Sequence, residues 1–136
     1  MSEKFKFLDH PSDLKIQAFG KDRTELFSNA ALAMMTFLYP KQVEIKNHET
    51  KTEIRLQAKD SKALLVDFLS ELLYLSDSND VCYNQLHFKK LDETFLIATA
   101  YGRRVRAKED IKAVTYHNLE IKKNPDGFEA MILFDL

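Results

Sequence analysis

"DLKIQAFGKDRTELFSNAALAMMTFLYP", residues 13–40, decides the fold, because its hydrophobic period changes once, at Gly20. Before that glycine, Leu14, Ile16 and Ala18 alternate with Lys15, Gln17 and Phe19, the two-residue period of a strand with one face in a core. After it, Asp22 stands three residues ahead of Glu25, the capping-box spacing that satisfies the orphan amides of a helix start. Leu26, Phe27, Ala30, Ala31, Met34 and Leu38 then fall on one helical face, which predicts a helix lying on a sheet. Pro40 closes it.

Downstream, the same two periods recur. "KQVEIKNHETKTEIRLQA", residues 41–58, reads as two strands joined near Asn47–Thr50, with Val43 and Ile45 in the first and Ile54 and Leu56 in the second. A second helix follows from Ser61, where Leu64, Leu65, Phe68, Leu69, Leu72 and Leu73 make a broad apolar stripe. Ser76–Asp80 reads as its turn-rich exit. Strands are expected around 81–91 and 94–101, then a charged loop "GRRVRAKED", then strands over 114–122 and 128–136. "NPDG", residues 124–127, is a turn: proline presets φ and glycine tolerates a positive one. Strands outnumber helices and hairpins dominate, so the expected fold is α+β, a single domain over residues 1–136 with largely antiparallel sheet and two main helices.

Composition narrows the function classes. The chain has 136 residues, 45% hydrophobic and 30% charged, enough for one core without disulfides or a structural metal. No secretory signal or transmembrane span is read, which places the protein in the cytoplasm, away from membranes. Cys82 is the only cysteine, excluding an internal disulfide or a cysteine-rich zinc site; it reads as a packing residue, the alternative being a catalytic thiol, which would need an exposed, low-pKa Cys82 with a basic partner. The formal net charge of −1 argues against a general electrostatic grip on nucleic acid. Three glycines form no phosphate-cradling loop, and the GxSxG, HExxH and CxxC signatures are missing.

Two groups of residues could still do chemistry. The closing "FEAMILFDL" keeps a strand pattern to its last residue, with Asp135 on the face opposite Phe128, Ala130, Ile132 and Phe134. Asp135, with the backbone and terminal oxygens of Leu136, offers the oxygen donors that hard cations prefer. Asp13 would complete the set if the first and last strands are neighbours. Solvated strand-end carboxylates are the alternative reading. Asp9 and His10 beside Pro11 read either as turn residues or as members of the same site. The second group is Arg103, Arg104, Arg106 and Lys108, followed by Lys112, Tyr116 and His117: either a solvated charged loop or a contact for RNA phosphate or an acidic protein patch.

Four blocks, "FLDHPSDLKIQAFG", "LLVDFLSELLYLSD", "IKAVTYHNLEI" and "FEAMILFDL", resemble the archease family in order and over nearly the whole chain. Pro11 and Ser12 replace the threonine and alanine of the family's LDHTADIGI-type start, and Arg103–Arg104 stand where an acidic residue is expected. The resemblance implies an archease-like domain and an accessory, non-enzymatic role. It would help a GTP-dependent RNA-splicing ligase form its guanylylated intermediate and turn over repeatedly in tRNA splicing or RNA repair. It also implies a divalent-metal site, calcium first with magnesium or manganese as alternatives, with ligands at Asp13, Asp135 and Leu136. His10, Lys112, His117, Arg103 and Arg104 are the candidate functional surface. The expected protein is a monomer that meets RNA only through the ligase. An independent metal-dependent phosphoesterase, or an RNA-binding module using Arg103–Lys108, are the competing expectations.

Overall fold

The computed structural model describes residues 3–8 and 12–136. Its strands are β1 (Phe5–Leu8), β2 (Asp13–Gly20), β3 (Thr50–Gln57), β4 (Val81–Leu91), β5 (Phe95–Arg104), β6 (Ala113–Asn124) and β7 (Gly127–Asp135), with helices α1 (Arg23–Leu38) and α2 (Ser61–Asn79). They build a four-stranded sheet ordered β1-β2-β7-β6 and a three-stranded sheet ordered β3-β5-β4. Every pairing is antiparallel. The α+β class with two main helices is the one the sequence predicts.

Each helix touches both sheets: α1 packs on β2, β1 and β7 and on β4, while α2 packs on β6 and on β3, β4 and β5. This placement explains a burial wider than one stripe. On α1, Ala33 and Met35 are buried together with the expected Leu26, Phe27, Ala30, Ala31, Met34 and Leu38, because two layers cover the helix instead of one. Phe27 of α1, Phe68 of α2 and Phe88 of β4 meet at ring-centroid distances of 5.9, 6.5 and 5.5 Å and join the layers.

Local chemistry sets the ends of the elements. Asp22 caps α1 by accepting the Glu25 N–H at 2.8 Å, and the Glu25 carboxylate accepts the Lys21 N–H at 3.1 Å, one residue outside the expected reciprocal partner. Asp60 caps α2 through the Ala63 N–H at 2.8 Å. Gly127, at φ +135°, is the last residue of the 124–127 turn, and a Cβ there would collide with the Gly20 carbonyl oxygen.

Several expectations need correction. Val43 and Ile45 belong to no strand: Gln42–Glu44 is a 3-10 turn. The Asn84 amide donates to the Val43 and Ile45 carbonyls at 3.1 and 2.6 Å, so a side chain takes the bonds a neighbouring strand would have made. Ser76–Asp80 is not a turn-rich exit, since α2 runs on to Asn79 and Asp80 closes it in the left-handed region at φ 52°. Arg103 and Arg104 lie in β5, opposite Cys82 and Val81, because the β4–β5 ladder continues beyond the apolar run. β1 was not anticipated, its four residues being too short for a periodic signal.

Candidate functional site

The four-stranded sheet turns one face to α1 and α2 and the other to solvent. Leu14, Ile16 and Ala18 of β2 and Ala130, Ile132 and Phe134 of β7 fill the inner face. Period two therefore sends Asp13, Lys15 and Asp135 outward. The register pairs Asp13 with Asp135, and Asp135 in turn with Ala113 of β6. Side chains directly opposite across an antiparallel pair stand with Cβ atoms about 4.5–5.5 Å apart, and like charges so placed repel. The Asp135 carbonyl accepts the Lys112 N–H at 2.8 Å, which fixes the approach to β6 against the end of β7. Leu136 follows at 38% exposure.

An interruption of β6 places His117 beside this rung. Thr115 pairs with Leu133 but Glu120 pairs with Met131, so Tyr116–Leu119 face the single residue Ile132. Tyr116, His117 and Asn118 loop out exposed while Leu119 returns to the core. Asn118 takes φ 57°, a conformation asparagine tolerates, and the His117 N–H donates to Thr115 Oγ1 at 2.8 Å. Asp13, Lys15, His117 and Asn118 then line one cleft of about 180 Å³ along β7. Partial burial, with the Asp67 and Asp60 carboxylates of the α2 end, pushes the Tyr116 hydroxyl above its ordinary value.

The sequence-predicted residues thus divide. Asp13, Asp135, Leu136, Lys112 and His117 gather at one end of the four-stranded sheet. Arg103 and Arg104 sit in the three-stranded sheet. Arg103 is half-buried, donates to Gln42 Oε1, and keeps a buried Nε without a partner among the described residues. The backbone N–H of exposed Arg104 donates to the Glu49 carboxylate at 2.7 Å. Cys82 is fully buried, and burial pushes its thiol up to about 12. His10, like Asp9 and Pro11, lies outside the described residues. Sequence reasoning missed Lys15 and Asn118. Lys15 was within reach, because two residues after Asp13 on a strand means the same face; Asn118 depends on a ladder break that has no local signal.

Among the described residues, no three His, Cys, Asp or Glu side chains form a metal-binding group. The register puts Asp13 and Asp135 on one rung, with Leu136 next along the chain; carboxylate oxygens of this kind would suit a hard, oxygen-loving cation and not zinc. No helix among the described residues is long and apolar enough to cross a membrane.

Two antiparallel sheets clasping two helices, with an acidic rung where β2 meets the end of β7, define an archease-type α+β domain. The Archease protein family profile matches residues 5–136, and the chain belongs to that family. It is 38% identical to the archease of Methanosarcina barkeri, over 98% of this chain and 97% of that one. The solution structure of Methanobacterium thermoautotrophicum protein 1598 superposes with a TM-score of 0.82 at 29% identity, covering 98% of this chain and 99% of the other. A Thermotoga maritima crystal structure, described as an archease and possible chaperone, shares the fold at a TM-score of 0.65 and 18% identity, with 96% of each chain covered.

Proposed function

We propose that this protein is an accessory activator of a GTP-dependent RNA-splicing ligase. It promotes guanylylation and repeated turnover of the ligase in tRNA splicing or RNA repair and does not join RNA itself. Membership of the archease family supports the accessory role, and a protein partner accords with the chaperone description carried by the Thermotoga relative. The observation that carries the site is the pairing of Asp13 with Asp135. Two carboxylates on one rung, beside the Leu136 oxygens, would hold a divalent cation, calcium first and magnesium or manganese as alternatives. When bound, such an ion supplies positive charge that offsets their repulsion.

The chain's own residues do the remaining work. Asp13 and Asp135 fix the outer end of the β2–β7 ladder, and Lys112 ties β6 to it through the Asp135 carbonyl. Lys15 and His117 present cationic or proton-donating tips in the adjoining cleft, complementary to an acidic or phosphate group on the ligase. A monomer with a transient interface suffices for this role in the cytoplasm.

The test is multiple-turnover guanylylation and RNA joining by the matching ligase, with catalytic amounts of this protein added or withheld. Stimulation that vanishes in D13A and D135A proteins of native circular dichroism is the expected result. Unchanged ligase turnover with folded, calcium-loaded protein refutes the accessory reading. Phosphoester turnover by the isolated chain would replace it with the hydrolase.

A further inference from the structure

The outer faces of the two sheets differ in charge. On the four-stranded sheet acids and bases mix: Asp13 stands opposite Asp135, and Lys122 opposite Glu129. On the three-stranded sheet they separate. Ile54, Leu96, Ala98 and Ala100 are buried on the side of the helices, so period two sends Lys51, Glu53 and Arg55 of β3 and Phe95, Ile97 and Tyr101 of β5 to the outside. The register sets Arg55 beside Ile97 and Lys90, and Lys51 beside Tyr101 and Gln85. Between Phe88 and Lys90 the ladder slips by one residue, which adds exposed Lys89 to the β4 side.

The result is a shallow trough. Its floor is the central strand, uncharged from Phe95 to Tyr101 and about 20 Å long over that stretch, and its rims are strands about 10 Å apart that carry the cations. Two half-buried rings lie in the floor. The Lys90 ammonium stands 5.4 Å from the Phe95 centroid, and the exposed His48 ring lies 5.6 Å from Tyr101 at an interplanar angle of 33°. The acids around the trough are largely committed. Glu53 is held by Arg55 at 3.2 Å. At one end the Glu49 carboxylate accepts the Arg104 N–H at 2.7 Å, and at the other Asp92 accepts the Thr94 and Phe95 N–H groups at 3.0 and 2.9 Å. Glu93 lies in the turn beyond the strand ends. Among the described residues, no carboxylate forms an ion pair with Lys51, Lys89 or Lys90. Two cationic rims with rings between them match a flexible polyanion that carries a flat group on every unit. An acidic protein surface would use the cations and leave the rings without a role.

We infer that the outer face of the three-stranded sheet binds a single strand of nucleic acid, laid along β5 with bases on Phe95 and Tyr101 and phosphates on Lys51, Lys89 and Lys90. Stacking on an aromatic ring is tolerant of sequence, so the face reads charge and ring and not base identity. It is a different surface from the Arg103–Lys108 segment, where Arg103 is half-buried and bonded to Gln42. The inference does not rest on the ligase reading, and it departs from the expectation that RNA is met only through the ligase.

The experiment is fluorescence anisotropy of a labelled, unstructured single-stranded RNA titrated with the full chain between about 50 and 200 mM salt. Lys51→Gln, Lys89→Gln and Lys90→Gln together are expected to weaken binding at least about tenfold and to make the log–log salt slope shallower by about 2, three phosphate contacts at about 0.7 each. Lys122→Gln with Lys123→Gln, on the other sheet, leaves binding unchanged. Phe95→Leu keeps an apolar side chain but removes the ring, and is expected to weaken binding about fivefold or more. Binding that is missing at the lowest salt, or that survives the triple lysine substitution, overturns the inference. Displacement by polyglutamate as effective as by unlabelled RNA overturns it in favour of an acidic protein partner. Unchanged binding by a folded Phe95→Leu protein removes the stacking, and with it the case for a nucleic acid. The lysine substitutions alter only exposed side chains, so the test stands even if the Phe95 variant unfolds.

Discussion

Asp13 and Asp135 come to one rung of the sheet from opposite ends of the sequence. Each is legible as an acid at a strand end, but their meeting depends on the β2–β7 register, which no local pattern encodes. If the proposed cation binds there, calcium at a hundred times its dissociation constant stabilises the fold by about 2.7 kcal/mol. In a domain of this size that raises Tm by roughly 8 °C; in Asp135→Asn the calcium-dependent rise is expected to disappear, a difference that scanning calorimetry with and without calcium reads directly. Cys82 gives a second prediction. Burial raises its thiol from 9.0 to about 12, so above pH 9 the unfolded chain releases this proton first. The associated stability is complete below pH 9 and is lost as pH climbs through 12. By pH 10.5 the loss is about 2 kcal/mol. Tyr39, raised from 10.0 to about 12, chiefly by burial, adds to it at the upper end. Urea midpoints at pH 8 and 10.5 are expected to fall less in Cys82→Ala than in wild type. Buried polar groups were the least legible residues: Asn84 reads as an ordinary strand position, yet its amide holds two carbonyls of the 42–45 segment.

Elements with a long, single period were readable, and elements governed by a distant partner were not. β2, α1 and α2 carry their periods over 8, 16 and 19 residues, long enough to outweigh local exceptions. Residues 43–45 alternate as a strand would, but the Asn84 side chain occupies their carbonyls, and the strand pairing never forms. The most informative departure is β6. Its pattern reads as one strand, whereas three extra residues loop out between Thr115 and Glu120. Removing Tyr116, His117 and Asn118 would bring Leu119 opposite Ile132, both already inward and buried, and restore an unbroken ladder. The deletion is therefore expected to leave Tm within about 3 °C of wild type, since only exposed side chains are lost. Ligase stimulation is expected to drop at least tenfold if the excursion is part of the docking surface. A thermal melt and the turnover assay, run on the same protein, separate the two effects.

At the scale of the whole molecule, the helices make one structure of two sheets. Because each helix packs on both, neither sheet can keep its apolar face covered after the other has gone. Phe68, fully buried and in ring contact with Phe27 and Phe88, sits where the layers join. Phe68→Ala is expected to cost about 3–5 kcal/mol. Amides of Ile16 in the four-stranded sheet and Ala98 in the three-stranded sheet should lose hydrogen-exchange protection by the same amount. Unequal losses would mean that the sheets unfold separately. The shared helices have a further consequence during synthesis. The three-stranded sheet is complete once Arg104 has been made, but the strand that joins β2 to β6 is β7, roughly 30 residues later. At ribosomal speeds of about 5–20 residues per second, the nascent chain spends roughly 2–6 s with both helices bare on the side β6 and β7 will cover. For that interval its greasiest surface is open to the cell, and β7 is the last piece to shut it.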